Sequence, residues 1–229
     1  MIRWSTCVSL GLVLLAATPA WAREACQERV LTLRFSPQAG RANNWCWAAS
    51  SPMIMELLGE EPQKACQCQQ AEQVLGVAGC CVTASSCLPA DSLPARCDQP
   101  RWPAFVEMPD RFGFDYSTTC DSLKDRQDDP ACEQRPLDWI PLTTELCAGR
   151  PVIAALRSRG SVRGHTVVVK GFSTRPQRRV LVVDPVRLCP SSRDCEGELD
   201  EGFWLSYEEY AAGWGGLQHW VDFYGIRRR

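Results

Sequence analysis

Two kinds of stretch are missing from this chain, and each absence removes a class of protein. Apart from the terminal Arg227, Arg228 and Arg229 there is no basic run, and 25 Lys plus Arg against 27 Asp plus Glu give a formal net charge of -2. A nucleic-acid groove needs a basic stripe, so nucleic acid is excluded as a partner. Three arginines at a chain end read as a solvated tail. Beyond the N-terminal region no segment is apolar over the roughly 20 residues that a membrane-crossing helix requires, so no membrane partner is expected. Histidine is scarce too, with two residues in 229. Any chemistry that needs an imidazole must therefore run through His165 or His219.

Cysteine, by contrast, is abundant, with 14 residues. Their redox state depends on the first 22 positions, which have the form of an export signal. Arg3 supplies the positive start, Val8 to Ala17 a short apolar run, and Ala20-Trp21-Ala22 a small-residue cleavage pattern. Cys7 precedes the apolar run, which is the wrong place for a lipid-bearing cysteine. The mature chain is expected to begin near Arg23, to be secreted or periplasmic, and to carry no long inhibitory pro-segment ahead of residue 46. Losing Cys7 leaves 13 cysteines. An odd number in an oxidising compartment fits six disulfides and one unpaired thiol.

Context distinguishes one cysteine from the others. Eleven of them lie from Cys66 to Cys195, in chain rich in Pro, Gly, Ser and Asp that needs covalent staples. Metal binding by Cys66-x-Cys68 and Cys80-Cys81 is the weaker reading, because the spacing is wrong for zinc and neither histidine is near. Adjacent Cys80 and Cys81 are expected to tie to different parts of the chain. Cys46 lies outside this region, in "NNWCWAAS". It opens a predicted helix, with Asn43 or Asn44 as cap, Trp47, Ala48, Ile54, Met55, Leu57 and Leu58 as apolar face, and Gly59 as stop. Pro52 should kink that helix without disturbing its first turn. A thiol there meets unpaired N–H groups and the positive helix end, which favour the thiolate.

A thiolate nucleophile needs a base and the base needs an orienting group. His165 leads into the β-branched run Thr166-Val167-Val168-Val169, so it is expected at the mouth of a buried strand. His219 has no such setting and is read as structural. Asp184 ends the apolar run "RVLVVD", 19 residues after His165, a distance that suits a neighbouring antiparallel strand. It could accept the imidazole N–H, or Asp184-Pro185 could simply start a turn.

In order along the chain, "NNWCWAAS", "GHTVVVKGF" and "VVDP" resemble the cysteine, histidine and acid motifs of papain-like cysteine proteases, in particular the bacterial secreted and effector branch with a W-C-W-A-A nucleophile stretch. "ELCAGRPVIAAL", 145 to 156, is similar to the segment that enters the β-rich half of that branch. The resemblance covers about 30–60 and 140–225, and leaves the middle of the chain unexplained. It implies Cys46 as nucleophile, His165 as general base and acid, Asp184 as orienting partner, and Gln38, eight residues before Cys46, as a side-chain donor to the oxyanion.

The fold it implies is α+β, papain-like and two-lobed, with a helical lobe, an antiparallel β lobe and many disulfides. The signal would occupy 1–22 and the catalytic domain 23–229, with a Cys- and Pro-rich extension at about 60–140. "EGFWLSYEEYAAGW", 201 to 214, reads as a strand followed by a short helix with an S-x-x-E cap. The expected partners are a peptide or protein substrate and a controlling protein inhibitor or partner. The chain is expected to act as a monomer with no cofactor and no metal. Peptide hydrolysis, acyl transfer or isopeptide cleavage by the same triad, and a silent binding protein on the same fold all remain open. A thiol oxidoreductase ranks last, since position 49 is Ala where C-x-x-C would need cysteine.

Overall fold

The computed structural model describes residues 26–39, 42–60, 66–120, 136–159, 164–186 and 201–229. The expected signal, Cys132, Cys189 and Cys195 lie outside the described residues. The fold is α+β, built on a seven-stranded sheet in which every pairing is antiparallel.

The strands are β1 (Glu28–Val30), β2 (Phe114–Thr118), β3 (Val152–Arg157), β4 (Gly164–Ser173), β5 (Arg179–Val183), β6 (Phe203–Ser206) and β7 (Gln218–Arg228). Their order is β2-β7-β3-β4-β5-β6, with β1 also paired to β4. Strands β3 to β5 are buried at almost every position because both sheet faces are covered. Ile153, Ala155, Val168 and Val183 pack into one core cluster. Their alternating neighbours Val152, Ala154, Leu156, Val167, Val169 and Val182 pack into the other. Gly171 is required where β1 crosses, since a Cβ there would lie 2.8 Å from the Arg29 carbonyl oxygen.

The first cluster is covered by helix α1 (Cys46–Leu57), which lies against β4, together with α2 (Gln67–Leu75), the single turns α3 (Ala104–Glu107) and α4 (Pro109–Phe112), and the half-cystines Cys68, Cys80, Cys81 and Cys97. The second is covered by α5 (Trp139–Cys147) and α6 (Tyr207–Ala212). Part of the 60–140 stretch joins the sheet itself, because β2 pairs with β7.

Four disulfides are fully described: Cys26–Cys147, Cys66–Cys87, Cys68–Cys81 and Cys80–Cys97. Cys80 and Cys81 tie to separate parts of the chain, as expected, and Cys120 is disulfide-bonded as well. The expected S-x-x-E cap is present. Ser206 Oγ accepts the Glu209 N–H at 3.1 Å, and Glu209 Oε2 accepts the Ser206 N–H at 2.8 Å.

One detail of α1 differs from the sequence expectation. Neither Asn43 nor Asn44 caps the helix: the cap position is Trp45, and no side chain caps it. The helix runs through Pro52 to Leu57, and just past its end, at Gly59 (φ 88°), the chain turns left-handed. His219 is structural, as read: it is buried, with Nδ1 3.0 Å from the Tyr210 carbonyl oxygen and Nε2 3.2 Å from Asp222 Oδ1.

Candidate active site

Cys46 is the first residue of α1 and, among the described cysteines, the one that is not disulfide-bonded. Its neighbours in the helix explain the placement. Trp47, Ala48, Ile54 and Met55 are fully buried and fix the helix against β4, so its first turn is held at the N-terminal end of that strand. Ser50 Oγ donates to the Thr166 carbonyl oxygen at 3.0 Å, which pins the same end.

His165 is the second residue of β4 and pairs with Leu156 of β3. Gly164 precedes it for steric reasons: a Cβ there would sit 3.0 Å from the Leu156 carbonyl oxygen and 3.2 Å from the Trp220 ring. The β4–β5 register pairs Val168 with Val183 and Val169 with Val182. One step further, Asp184 comes opposite Val167 and diagonal to His165, within reach of an imidazole. His165 Nε2 and Asp184 Oδ2 are 2.8 Å apart. The other carboxylate oxygen, Oδ1, accepts the Val186 N–H at 2.7 Å. Asp184 thus meets the histidine with one oxygen and the turn after Pro185 with the other.

Electrostatics link the three groups. Burial pushes the Cys46 thiol up, but a hydrogen bond and charge from His165 and further hydrogen bonds from Thr166 outweigh it and hold the thiol below its ordinary range. Burial pushes His165 down, and Asp184 and Cys46 more than reverse this, raising it to about 10. Both shifts favour a thiolate–imidazolium pair. Cys46 and His165 are each 7% exposed and Asp184 is 4% exposed, so the pair is almost entirely screened from open solvent.

That cleft, about 200 Å³, is lined by Cys46 and His165 and also by Asn44, Arg101, Trp102 and Trp220. Its volume is below the roughly 300–1,000 Å³ of pockets that engulf drug-sized ligands. Trp102 packs against Trp220 with ring centroids 4.6 Å apart. Gln38 does not line this cleft. Its Nε2 donates to the Ala42 carbonyl oxygen at 2.5 Å, and its backbone N–H donates to the Pro185 carbonyl oxygen at 2.9 Å, close to Asp184. The cleft residues Thr166, Trp102 and Trp220 carried no sequence signal of their own, although Thr166 adjoins the histidine.

Such an arrangement can hold a deprotonated sulfur, a proton donor and a buried acid in one line at the edge of a groove. No protein-family model matches the chain, and no curated protein matches it in sequence.

Proposed function

We propose that this protein is an exported cysteine peptidase of papain-like fold that hydrolyses peptide bonds through Cys46, His165 and Asp184. The observation that carries the reading is the coincidence of the unpaired thiol, at a helix start, with a histidine whose Nε2 lies 2.8 Å from a buried carboxylate. The Cys46 thiolate attacks the substrate carbonyl carbon, and the oxyanion forms beside the uncapped first turn of α1, where backbone N–H groups have no intrahelical acceptor. Gln38 adds a donor only after releasing the Ala42 carbonyl oxygen. Imidazolium His165 gives its proton to the leaving amine as the C–N bond breaks and a thioester remains. A water then loses a proton to His165 and attacks the thioester, releasing the carboxylic product and regenerating the thiolate. Asp184 keeps the ring oriented throughout and stabilises its charged form whenever it holds the proton.

Brief alkylation of the non-reduced mature protein with iodoacetamide at about pH 6, followed by peptide mapping, tests the nucleophile, because an ordinary thiol near pKa 8.5 hardly reacts there. A single label on Cys46, lost in His165→Ala, together with cleavage of a mixed peptide library that Cys46→Ala abolishes, is the expected result. An inert Cys46 in a folded, oxidised protein overturns the assignment.

A further inference from the structure

The segment Cys97 to Trp102, remote in sequence from all three motifs, engages the chain that delivers the nucleophile. Asp98 Oδ1 accepts the backbone N–H groups of Asn43 at 3.0 Å and Asn44 at 2.9 Å. Its Oδ2 accepts from Asn43 N at 3.2 Å and Nδ2 at 3.4 Å, and its carbonyl oxygen accepts Asn44 Nδ2 at 3.1 Å. On either side of it, the Cys97 carbonyl oxygen accepts Trp45 Nε1 at 2.7 Å and the Gln99 carbonyl oxygen accepts Trp47 Nε1 at 3.1 Å. Cys97 is itself anchored through Cys80. The next residues, Pro100, Arg101 and Trp102, continue into the cleft wall.

Where the carboxylate bonds is decisive. A side-chain cap on Trp45 would take N–H groups of the first helical turn, the donors that stabilise a thiolate and an oxyanion. Trp45 has no such cap, and Asp98 takes the two N–H groups just before it. The chain's approach is fixed while the first turn stays open. The negative charge of Asp98 is not itself the benefit, since an anion does not favour a thiolate.

We propose that Asp98 is a positioning residue: by clamping Asn43 and Asn44 from the disulfide-anchored segment 97–102, it sets the start of α1 so that Cys46 meets His165 with its helix donors free. This rests on the peptidase reading, but it is tested without peptidase activity. The readout is the rate of Cys46 alkylation at about pH 6 divided by that at about pH 9, in full-length oxidised protein, for Asp98→Asn, Asp98→Glu and Asp98→Ala. A merely structural residue changes unfolding but leaves this ratio alone. Asp98→Asn keeps an acceptor in place and holds the ratio within about twofold of the parent, whereas Asp98→Ala and Asp98→Glu lower it about tenfold as the sulfur loses its partner. Asp98→Glu decides the matter if the alanine variant does not fold. A parental ratio in Asp98→Ala or Asp98→Glu, or Asp98→Asn falling as far as alanine, overturns the proposal and leaves the peptidase reading standing. Failure of the parent protein to label at Cys46 near pH 6 overturns both.

Discussion

His165 is a buried base whose proton is held by its neighbours, and this has a consequence for stability that can be signed. Its folded pKa of about 10 lies above the ordinary 6.5, so its contribution is complete below about pH 6.5 and is lost as the pH rises through about 10. Cys46 is shifted the other way, so its contribution is present above the ordinary thiol value of about 8.5 and is lost as the pH falls through its lowered folded value. Where both act, the folded protein binds one proton more at the imidazole and one fewer at the sulfur, and the slopes cancel. Above about 8.5 only the histidine still titrates between states, so stability declines from there to about pH 10. Urea unfolding across this range, taken as the difference between the parent and Cys46→Ala/His165→Ala, should show that late decline. A difference that stays flat from about pH 8.5 to about 10 would mean that the folded pair has already lost its proton below that range.

Helix α6 offers a test that separates stability from reactivity at the level of one element. Its box between Ser206 and Glu209 lies against the sheet face opposite α1, so Ser206→Ala should destabilise the fold by about 1 kcal/mol. The Cys46 labelling ratio should be unchanged; a parallel loss in both would show that the helix supports the site. That box was legible in the sequence because it depends on residues three apart. The same holds for the strand that carries His165 near its start, the adjacent strand ending just before Asp184 and the helix opening at Cys46, all governed by local period and turn chemistry. The cap of α1 was not legible. Its neighbours are clamped by Asp98, more than 50 positions away, and neither asparagine signals that its backbone is spoken for by a distant carboxylate. The cleft walls were hidden for the same reason, since Trp102 and Trp220 meet only after β7 is laid beside β3. Gln38 was marked by resemblance alone, and its amide is held by Ala42 four residues on.

Across the whole molecule, disulfides do two kinds of work that loop length and position pull apart. Cys26–Cys147 closes a separation of 121 residues and joins the chain before β1 to the end of α5, on the sheet face away from Cys46. Cys80–Cys97 closes 17 residues but ends next to Asp98 and the acceptors of Trp45 and Trp47. Loop-closure entropy alone makes the first bridge worth about 5 kcal/mol and the second about 3 kcal/mol. Removing each pair by double alanine substitution should therefore lower unfolding stability more for Cys26–Cys147. The order of effects on the sulfur should be the reverse. The long bridge constrains an element that touches neither the start of α1 nor the cleft, so the folded protein lacking it should label at Cys46 with the parental pH dependence. Loss of the short bridge frees the segment hydrogen-bonded to the start of α1, and labelling near pH 6 should drop several-fold relative to pH 9 in protein that is still folded. Finding the two effects ranked alike would mean that reactivity simply follows global stability, and that the Cys-rich segment is a brace for the fold rather than a part of the site.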